Sequence, residues 1–304
     1  MNDELPKEGL IMSLNKQASA QANKKSSEQL SKRPSEQPSV QVTEQAIRLE
    51  IDATGLAILN LSQPARGNPF DPAFCLQFKE AFLQLWETPG LRAVLIRADG
   101  TNFSLGGDLK LFYPQRDALP ALVRKMTSDL HVGLSRAWTL PVPVIAQIHG
   151  FAMGGGVALL AGCDVVVAGR SARFGSAFAQ LGFSCDSGSS AALTMRMGAA
   201  RARRFVMLTE VLSSDEALAS GLIDQVVDDA ALAETALAMA NRLAAGPTLA
   251  FGQIKRLFMQ AGAVQLQAQL EDEALTLAGI SASQDAREGV AAFVERRKPK
   301  FVGQ

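Results

Sequence analysis

The chain has 304 residues, 47% of them hydrophobic, and its 30 basic residues balance 30 acidic ones. A neutral chain of this size can bury a substantial core and has no overall attraction for nucleic acid or an anionic membrane. Three cysteines without C-x-x-C spacing and only two histidines argue against a metal site and favour free thiols in the cytoplasm. No apolar run reaches transmembrane length, and the acidic start does not resemble a signal sequence.

The first 44 residues differ from the rest of the chain. They are rich in Gln, Ser and Lys and contain no aromatic residue. Such a segment cannot bury enough apolar surface to offset its ordering entropy, so residues 1–44 are predicted to form a disordered polar tail. A docking segment for a partner is the alternative interpretation, and a translation start at Met12 would remove part of the segment.

From residue 46 onward, β-prone runs alternate with segments of helical apolar spacing. Strands are predicted at 48–51, 56–61, 93–97, 142–148, 165–168 and 223–227. Helices are predicted at 73–86, 119–140, from about 155, at 212–221 and in the region from 232 onward. This order is typical of an α/β core followed by helices, and we place the core at 45–245 and a helical region at 246–304.

Two glycine-containing loops enter helices in this pattern. One reads F-S-L-G-G-D-L-K at 103–110, and the other is the glycine triplet at 154–156, which follows a predicted strand. Glycines at such turns let backbone N–H groups approach a ligand closely, although tight packing alone also selects them. Together the two loops could hold a developing oxyanion.

A third loop, rich in glycine and serine, carries a single acid, Asp186. If Phe178, Leu181 and Phe183 face the same pocket, they surround this acid with an apolar wall, which favours reversible proton transfer by a carboxyl group. The alternative is that Asp186 merely caps the following helix. Asp108, Asp164 and His149 are expected to have structural roles.

Several motifs together resemble the crotonase (enoyl-CoA hydratase/isomerase) superfamily. They are F-S-L-G-G-D-L-K, P-V-P-V-I-A-Q-I-H-G-F-A-M-G-G-G, F-G-S-A-F-A-Q-L-G and R-E-G-V-A-A-F-V-E-R-R-K-P-K-F, and the resemblance covers residues 46–304. It implies an α/β fold, the ββα spiral core with a C-terminal helical trimerisation region. It also implies an acyl-CoA substrate, no permanently bound cofactor, and a homotrimer or a dimer of trimers. The thioester carbonyl would sit between the N–H groups of Gly107 and Gly155.

Departures from the family pattern bear on the reaction. Ala158 and Phe178 stand where the family's hydratases carry two glutamates. The loop L-G-F-S-C-D-S-G-S-S is similar to that of isomerases of the ring 1,2-epoxyphenylacetyl-CoA type, in which an aspartate moves the proton, although Cys185 and Ser189 differ from that pattern. The resemblance therefore implies an acyl-CoA isomerase that acts through a thioester enolate, with Asp186 as proton shuttle.

Other functions stay open at this point. They are other enolate chemistry on acyl-CoA, such as decarboxylation, ring cleavage or residual hydration, and a non-catalytic acyl-CoA-binding scaffold. Five residues match or neighbour positions where family members contact coenzyme A, although each basic one could equally be a solvated surface charge. They are Arg66, Lys110, Phe293, Arg296 and Lys298.

Overall fold

The computed structural model describes residues 45–261 and 266–300. The predicted polar tail at 1–44 lies outside the described residues. The boundary predicted between the core and the helical region stays a prediction. No helix in the described ranges is both long enough and apolar enough to cross a membrane.

Nine strands in the described residues form two sheets. The first sheet contains β1 (Ile47–Ile51), β2 (Leu56–Leu61), β3 (Ala93–Ala98), β4 (Val144–Ile148), β6 (Val165–Gly169) and β9 (Gln225–Val227), adjacent in that order. The β1 strand runs antiparallel to β2, and the other neighbours are parallel. The second sheet contains β5 (Phe151–Met153), β7 (Arg173–Gly175) and β8 (Val211–Ser213).

Helices cover these sheets and continue to the end of the described chain. Those of the sheet region are α1 (Pro72–Glu87), α2 (Leu109–Phe112), α3 (Leu119–Thr139), α4 (Gly155–Ala161), α5 (Ser189–Met197), α6 (Ala199–Met207) and α7 (Ser214–Ala219). The later ones are α8 (Leu232–Ala244), α9 (Thr248–Ala261), α10 (Leu266–Ile280) and α11 (Gln284–Val294). Short 3₁₀ turns lie at Pro64–Arg66, Tyr113–Ala118, Ala179–Leu181 and Asp229–Ala231.

The α1 helix illustrates why these segments are helical. The Asp71 carboxylate caps it by accepting the Phe74 N–H at 2.8 Å, and Pro72 occupies the first turn, where no N–H is needed. Phe74, Phe78 and Phe82 recur at helical spacing and are fully buried, with adjacent ring centroids 5.5 and 4.7 Å apart. This aromatic face packs on α3.

The structure shortens one predicted helix and adds elements that were not predicted. The N-capped helix predicted within 212–221 is confirmed, but Leu212 and Ser213 belong to β8 and α7 begins at Ser214. Ser213 and Glu216 form a reciprocal capping box, and Gly221 follows the helix with a φ of +78°. The second sheet and the helices α5 and α6 were not predicted from the sequence.

The two glycine loops lie side by side at the ends of β3 and β4. Phe103 N–H donates to the His149 carbonyl at 3.0 Å, and Met153 N–H donates to the Ser104 carbonyl at 2.9 Å. These backbone hydrogen bonds connect segments that are far apart in the sequence. The fold thus brings both glycine loops to the mouth of one cavity.

Candidate active site

A cavity of about 370 Å³ lies between the glycine loops and the helices α3, α10 and α11. Most of its wall is apolar. The apolar side chains of the wall are Phe70, Leu105, Leu109, Phe112, Val123, Met126, Leu130, Phe151, Met153, Ala177, Phe178, Leu181, Phe183, Leu277 and Phe293. Gly106, Gly107, Gly154, Gly155 and Asp186 also line it, so the structure brings together the three residues predicted to be catalytic.

The backbone N–H groups of Gly107 and Gly155 in the cavity wall are not used by the neighbouring backbone. Phe70 and Gly107 form an isolated β-bridge, in which Phe70 N–H donates to the Gly106 carbonyl at 2.8 Å and Asp108 N–H donates to the Phe70 carbonyl at 3.4 Å. The Gly107 N–H takes no part in this bridge. Gly155 is the first residue of α4, and its N–H therefore has no acceptor within the helix. Both N–H groups can serve a ligand.

Close packing explains the glycine at position 155. A Cβ atom there would lie 2.6 Å from Cδ2 of the Phe70 ring, well inside van der Waals contact. Gly106 has a φ of +83°, which side chains other than glycine rarely adopt. The approach of both loops to the cavity thus depends on glycine.

The Asp186 side chain contacts a histidine. Its Oδ1 lies 3.0 Å from Nε2 of His131 on α3, and the two side chains are only 14% and 10% exposed. The carboxylate does not cap α5, which has no cap from its own N-terminal side chains. The capping alternative is therefore wrong for this acid. Phe178, Leu181 and Phe183 all line the cavity, as predicted.

The N-terminus of α5 is capped by Glu273, which lies on α10. Its carboxylate accepts the N–H groups of Gly188 at 2.5 Å and Ser190 at 3.0 Å, and it also accepts a short hydrogen bond from the Ser190 hydroxyl. The residue is 4% exposed. Burial raises the pKa of this carboxyl, and the nearby Asp186 charge acts in the same direction.

Sequence reasoning missed His131 and Glu273. His131 lies on the buried face of a long amphipathic helix, and Glu273 is a buried acid within an Ala- and Leu-rich helix. One ligand atom from each, together with one from Asp186, lie within 4.8 Å of one another, a grouping that could hold a metal ion. Both Glu273 oxygens already accept hydrogen bonds from the α5 N-terminus.

The Enoyl-CoA hydratase/isomerase family matches residues 52–304. The chain belongs to this family. The 1,2-epoxyphenylacetyl-CoA isomerase of Escherichia coli is 37% identical over 254 residues, which are 82% of this chain and 96% of that protein. A probable enoyl-CoA hydratase of Rhodobacter capsulatus is 34% identical, covering 85% of this chain and 98% of that one.

The fold agrees with the family. The crystal structure of an enoyl-CoA hydratase from Mycobacterium avium subsp. paratuberculosis is 27% identical and superposes with a TM-score of 0.75, covering 85% of this chain and 99% of that one. The two sheets and the C-terminal helices are thus a crotonase-like fold, as the sequence motifs predicted.

Ala158 and Phe178, which the resemblance places where hydratases carry glutamates, lie in different surroundings, and that correspondence stays a prediction. Phe178 lies on the cavity wall. Ala158 is fully buried within α4 and is not among the lining residues. Neither residue can exchange a proton with a substrate.

The five residues expected near coenzyme A lie in different settings. Arg66 pairs with Asp108 at 2.8 Å and with Asp71. Phe293 lines the cavity at the end of α11 and is 57% exposed. Lys110 on α2 and the pair Arg296 and Lys298 are exposed. Their roles toward coenzyme A stay predictions.

Other candidate groups of this family member have structural roles, as expected. The Asp108 carboxylate accepts the Leu111 N–H at 3.1 Å and caps α2. The Asp164 carboxylate accepts the Val144 N–H at 2.8 Å. Nε2 of His149 lies 2.9 Å from the Gly100 carbonyl oxygen and braces the loop.

Cysteines near the cavity are poorly suited to nucleophilic chemistry. Cys75 lines the cavity, and burial raises the pKa of its thiol well above the ordinary value. Burial also raises the pKa of the Cys185 thiol, next to Asp186. Since the thiolate is the reactive form, these thiols are expected to be inert at neutral pH.

Proposed function

We propose that the protein is an acyl-CoA isomerase that shifts a double bond, or rearranges a ring-derived acyl group, through a thioester enolate. The observation that carries this proposal is that Asp186 is the sole carboxylate among the described residues lining the cavity. One acid is sufficient to take a proton from one carbon and return it to another. Adding water across a double bond generally draws on a second acid–base group.

The proposed reaction starts at C2, which the thioester makes acidic. Asp186 takes the C2 proton, the C–H bond breaks, and its electron pair moves toward the thioester oxygen. The N–H groups of Gly107 and Gly155 then stabilise the resulting oxyanion, each such donor being worth about 2.7–4 kcal/mol in comparable sites. Asp186 returns the proton at C4, and the double bond is shifted.

Two further points support isomerisation over hydration. By the family resemblance, Ala158 and Phe178 stand where hydratases carry the carboxylates that activate water, and the Phe178 ring lines the cavity. A relative with 37% identity is named an isomerase, although another with 34% identity is named a probable hydratase.

Coenzyme A enters this proposal as part of the substrate. Arg66, Lys110, Arg296 and Lys298 would meet its phosphates, and Phe293, exposed at the cavity rim, would pack against its adenine or pantetheine part. The assembly proposed for this family member is a homotrimer or a dimer of trimers.

The experiment that tests the function compares wild type with Asp186→Asn on a panel of 3-enoyl-CoA and ring-derived acyl-CoA substrates in deuterium oxide. Wild type should isomerise a substrate, with deuterium entering at C2 or C4 and no water added. The variant should lose about 10²–10⁴-fold in turnover while still binding the acyl-CoA.

A matched control is Asp215→Asn, since that carboxylate is 75% exposed and does not line the cavity. It should leave turnover unchanged. Undiminished turnover of the Asp186 variant would contradict the single-acid mechanism. Net addition of water by the wild type would contradict the isomerase assignment.

A further inference from the structure

A histidine–carboxylate pair separates the cavity from a second groove. Asp186 lines the cavity, whereas His131 lines a groove of about 400 Å³ between α3 and α10. His131 Nε2 and Asp186 Oδ1 are 3.0 Å apart. The pair thus connects the proposed proton shuttle to a groove outside the cavity.

The direction of this hydrogen bond follows from the role proposed for the acid. A carboxylate that is to take the C2 proton is ionised and can only accept, so Nε2 of His131 carries the hydrogen. Nδ1 of His131 has no hydrogen-bond partner among residues 45–261 and 266–300. It is also absent from the buried unpaired atoms of these residues, so this edge of the ring is open to the groove.

Within the described residues, His131 is the single polar side chain that holds the Asp186 carboxylate. The backbone around Asp186 is tied down separately, because its carbonyl accepts the Ser189 N–H at 3.0 Å and Glu273 holds the start of α5. Phe178 and Phe183 line the same cavity and offer the carboxylate no hydrogen bond. The orientation of the carboxylate therefore depends on the histidine.

We propose that His131 is a positioning residue of the isomerase. Its Nε2–H holds Oδ1 of Asp186 and leaves Oδ2 as the oxygen that meets C2 of the substrate. The inference rests on the proposed function, because it assumes that Asp186 carries the proton. Displacing a reacting group by about 1 Å can cost about 100-fold in rate, so a lost donor should affect turnover strongly.

The kinetic test compares His131→Gln with His131→Leu. Glutamine keeps an N–H donor and cannot become charged, while leucine fills similar space without a donor. The leucine variant should lose about 100-fold in kcat with KM little changed, and the glutamine variant should regain most of that loss. Ser128→Ala, on the same helix and groove, is the control and should match wild type.

Wild-type kcat in the leucine variant would overturn the proposal, and so would an equal loss in both variants. The result also separates the two proposals. Full turnover of Asp186→Asn would contradict the proposed function itself. Reduced turnover of Asp186→Asn together with unchanged turnover of His131→Leu would contradict the positioning role alone.

A second measurement does not depend on a folded variant of His131. The chain contains two histidines, so ¹⁵N solid-state NMR of histidine-labelled wild-type protein gives two ring systems, and His149→Gln assigns them. We expect His131 to carry a hydrogen on Nε2. A ring protonated on Nδ1 alone would leave Nε2 without a donor and would overturn the proposal.

Discussion

Position 155 has no room for a side chain, because even the methyl group of alanine would clash with a neighbouring ring. A Cβ there would lie 2.6 Å from the Phe70 ring, which stacks on Phe74 with 4.0 Å between centroids and is itself buried. Gly155→Ala should therefore displace the residue 155 N–H and lower kcat by about 10²–10³-fold, the effect of losing one oxyanion donor. Steady-state isomerisation with a 3-enoyl-CoA measures it.

Gly107→Ala is the matched variant in the other loop. Its Cβ would meet only the edge of the Phe112 ring, at 3.1 Å, and this ring can shift by a few tenths of an ångström. We expect less than about a tenfold loss of kcat, since a small shift costs less than a lost donor. A larger loss in Gly107→Ala than in Gly155→Ala would contradict this packing argument.

The residues of the candidate site differ in how far the sequence reveals them. Gly107, Gly155 and Asp186 stand in contiguous motifs whose glycines and apolar neighbours indicate their setting. His131 and Glu273 approach Asp186 only because α3 and α10 pack together. Since no local spacing encodes that contact, the sequence alone could not predict these two residues.

At the scale of elements, α5 begins with an unusual cap. Its N-cap residue, Gly188, has no side chain to accept an N–H, and a carboxylate from α10 accepts instead. A buried acid thereby links a helix that follows the Asp186 loop to the C-terminal helices. The link makes the stability of this region depend on pH.

Glu273→Gln should reveal that dependence. Burial raises the folded pKa of Glu273 above its ordinary value of 4.5. Its contribution to stability is therefore complete below 4.5 and is lost as the pH rises through the folded pKa. The free energy of unfolding of wild type minus that of the variant should increase as the pH falls from about 7 to 5. Denaturant unfolding at both pH values measures it.

Glu271→Gln provides the control for this titration. Glu271 precedes Glu273 by two residues on α10, is 59% exposed and pairs with Arg124 at 3.2 Å. Because the Glu271 side chain is exposed in the folded state as it is in the unfolded chain, the corresponding difference should be flat between these pH values. A flat difference for Glu273→Gln as well would show that burial does not perturb this carboxyl.

The sequence predicted helices and strands correctly where the pattern of apolar residues extended over enough positions. The helices α1 and α3 and the strands of the first sheet lie within a few residues of their predicted bounds. The strands β5, β7 and β8 have three residues each, which is too short for an alternating pattern to stand out. The equally short β9 was predicted as part of the longer segment 223–227. The pairing of β5, β7 and β8 is set by long-range contacts, and the sequence pattern could not show it.

At the scale of the whole molecule, the cavity is lined by segments from distant parts of the chain and contains no basic residue among those described. Its wall combines segments from the chain region near Phe70 with Leu277 and Phe293 of the C-terminal helices. Among the described lining residues none is Lys, Arg or His, and Asp186 supplies one negative charge. Family resemblance indicated the fold, but the path of these segments, and hence the cavity surface, came only with the structure.

The absence of cations from the described wall predicts which acyl groups the proposed isomerase accepts. A carboxylate at the far end of the acyl chain would be buried without a partner, at a cost of about 3–5 kcal/mol, the penalty of an unpaired buried charge. The ratio kcat/KM for 3-hexenoyl-CoA should therefore exceed that for the six-carbon acyl-CoA with a terminal carboxylate by about 10²–10⁴-fold.

The methyl ester of that carboxylated substrate separates charge from size. It is longer than either compound but neutral, so it should recover most of the activity if charge burial decides the preference. Equal rates for the carboxylate and 3-hexenoyl-CoA would contradict the prediction and imply that the acyl terminus reaches solvent or a cation outside the described wall. Failure of ester and carboxylate alike would instead assign the preference to the length of a cavity of about 370 Å³.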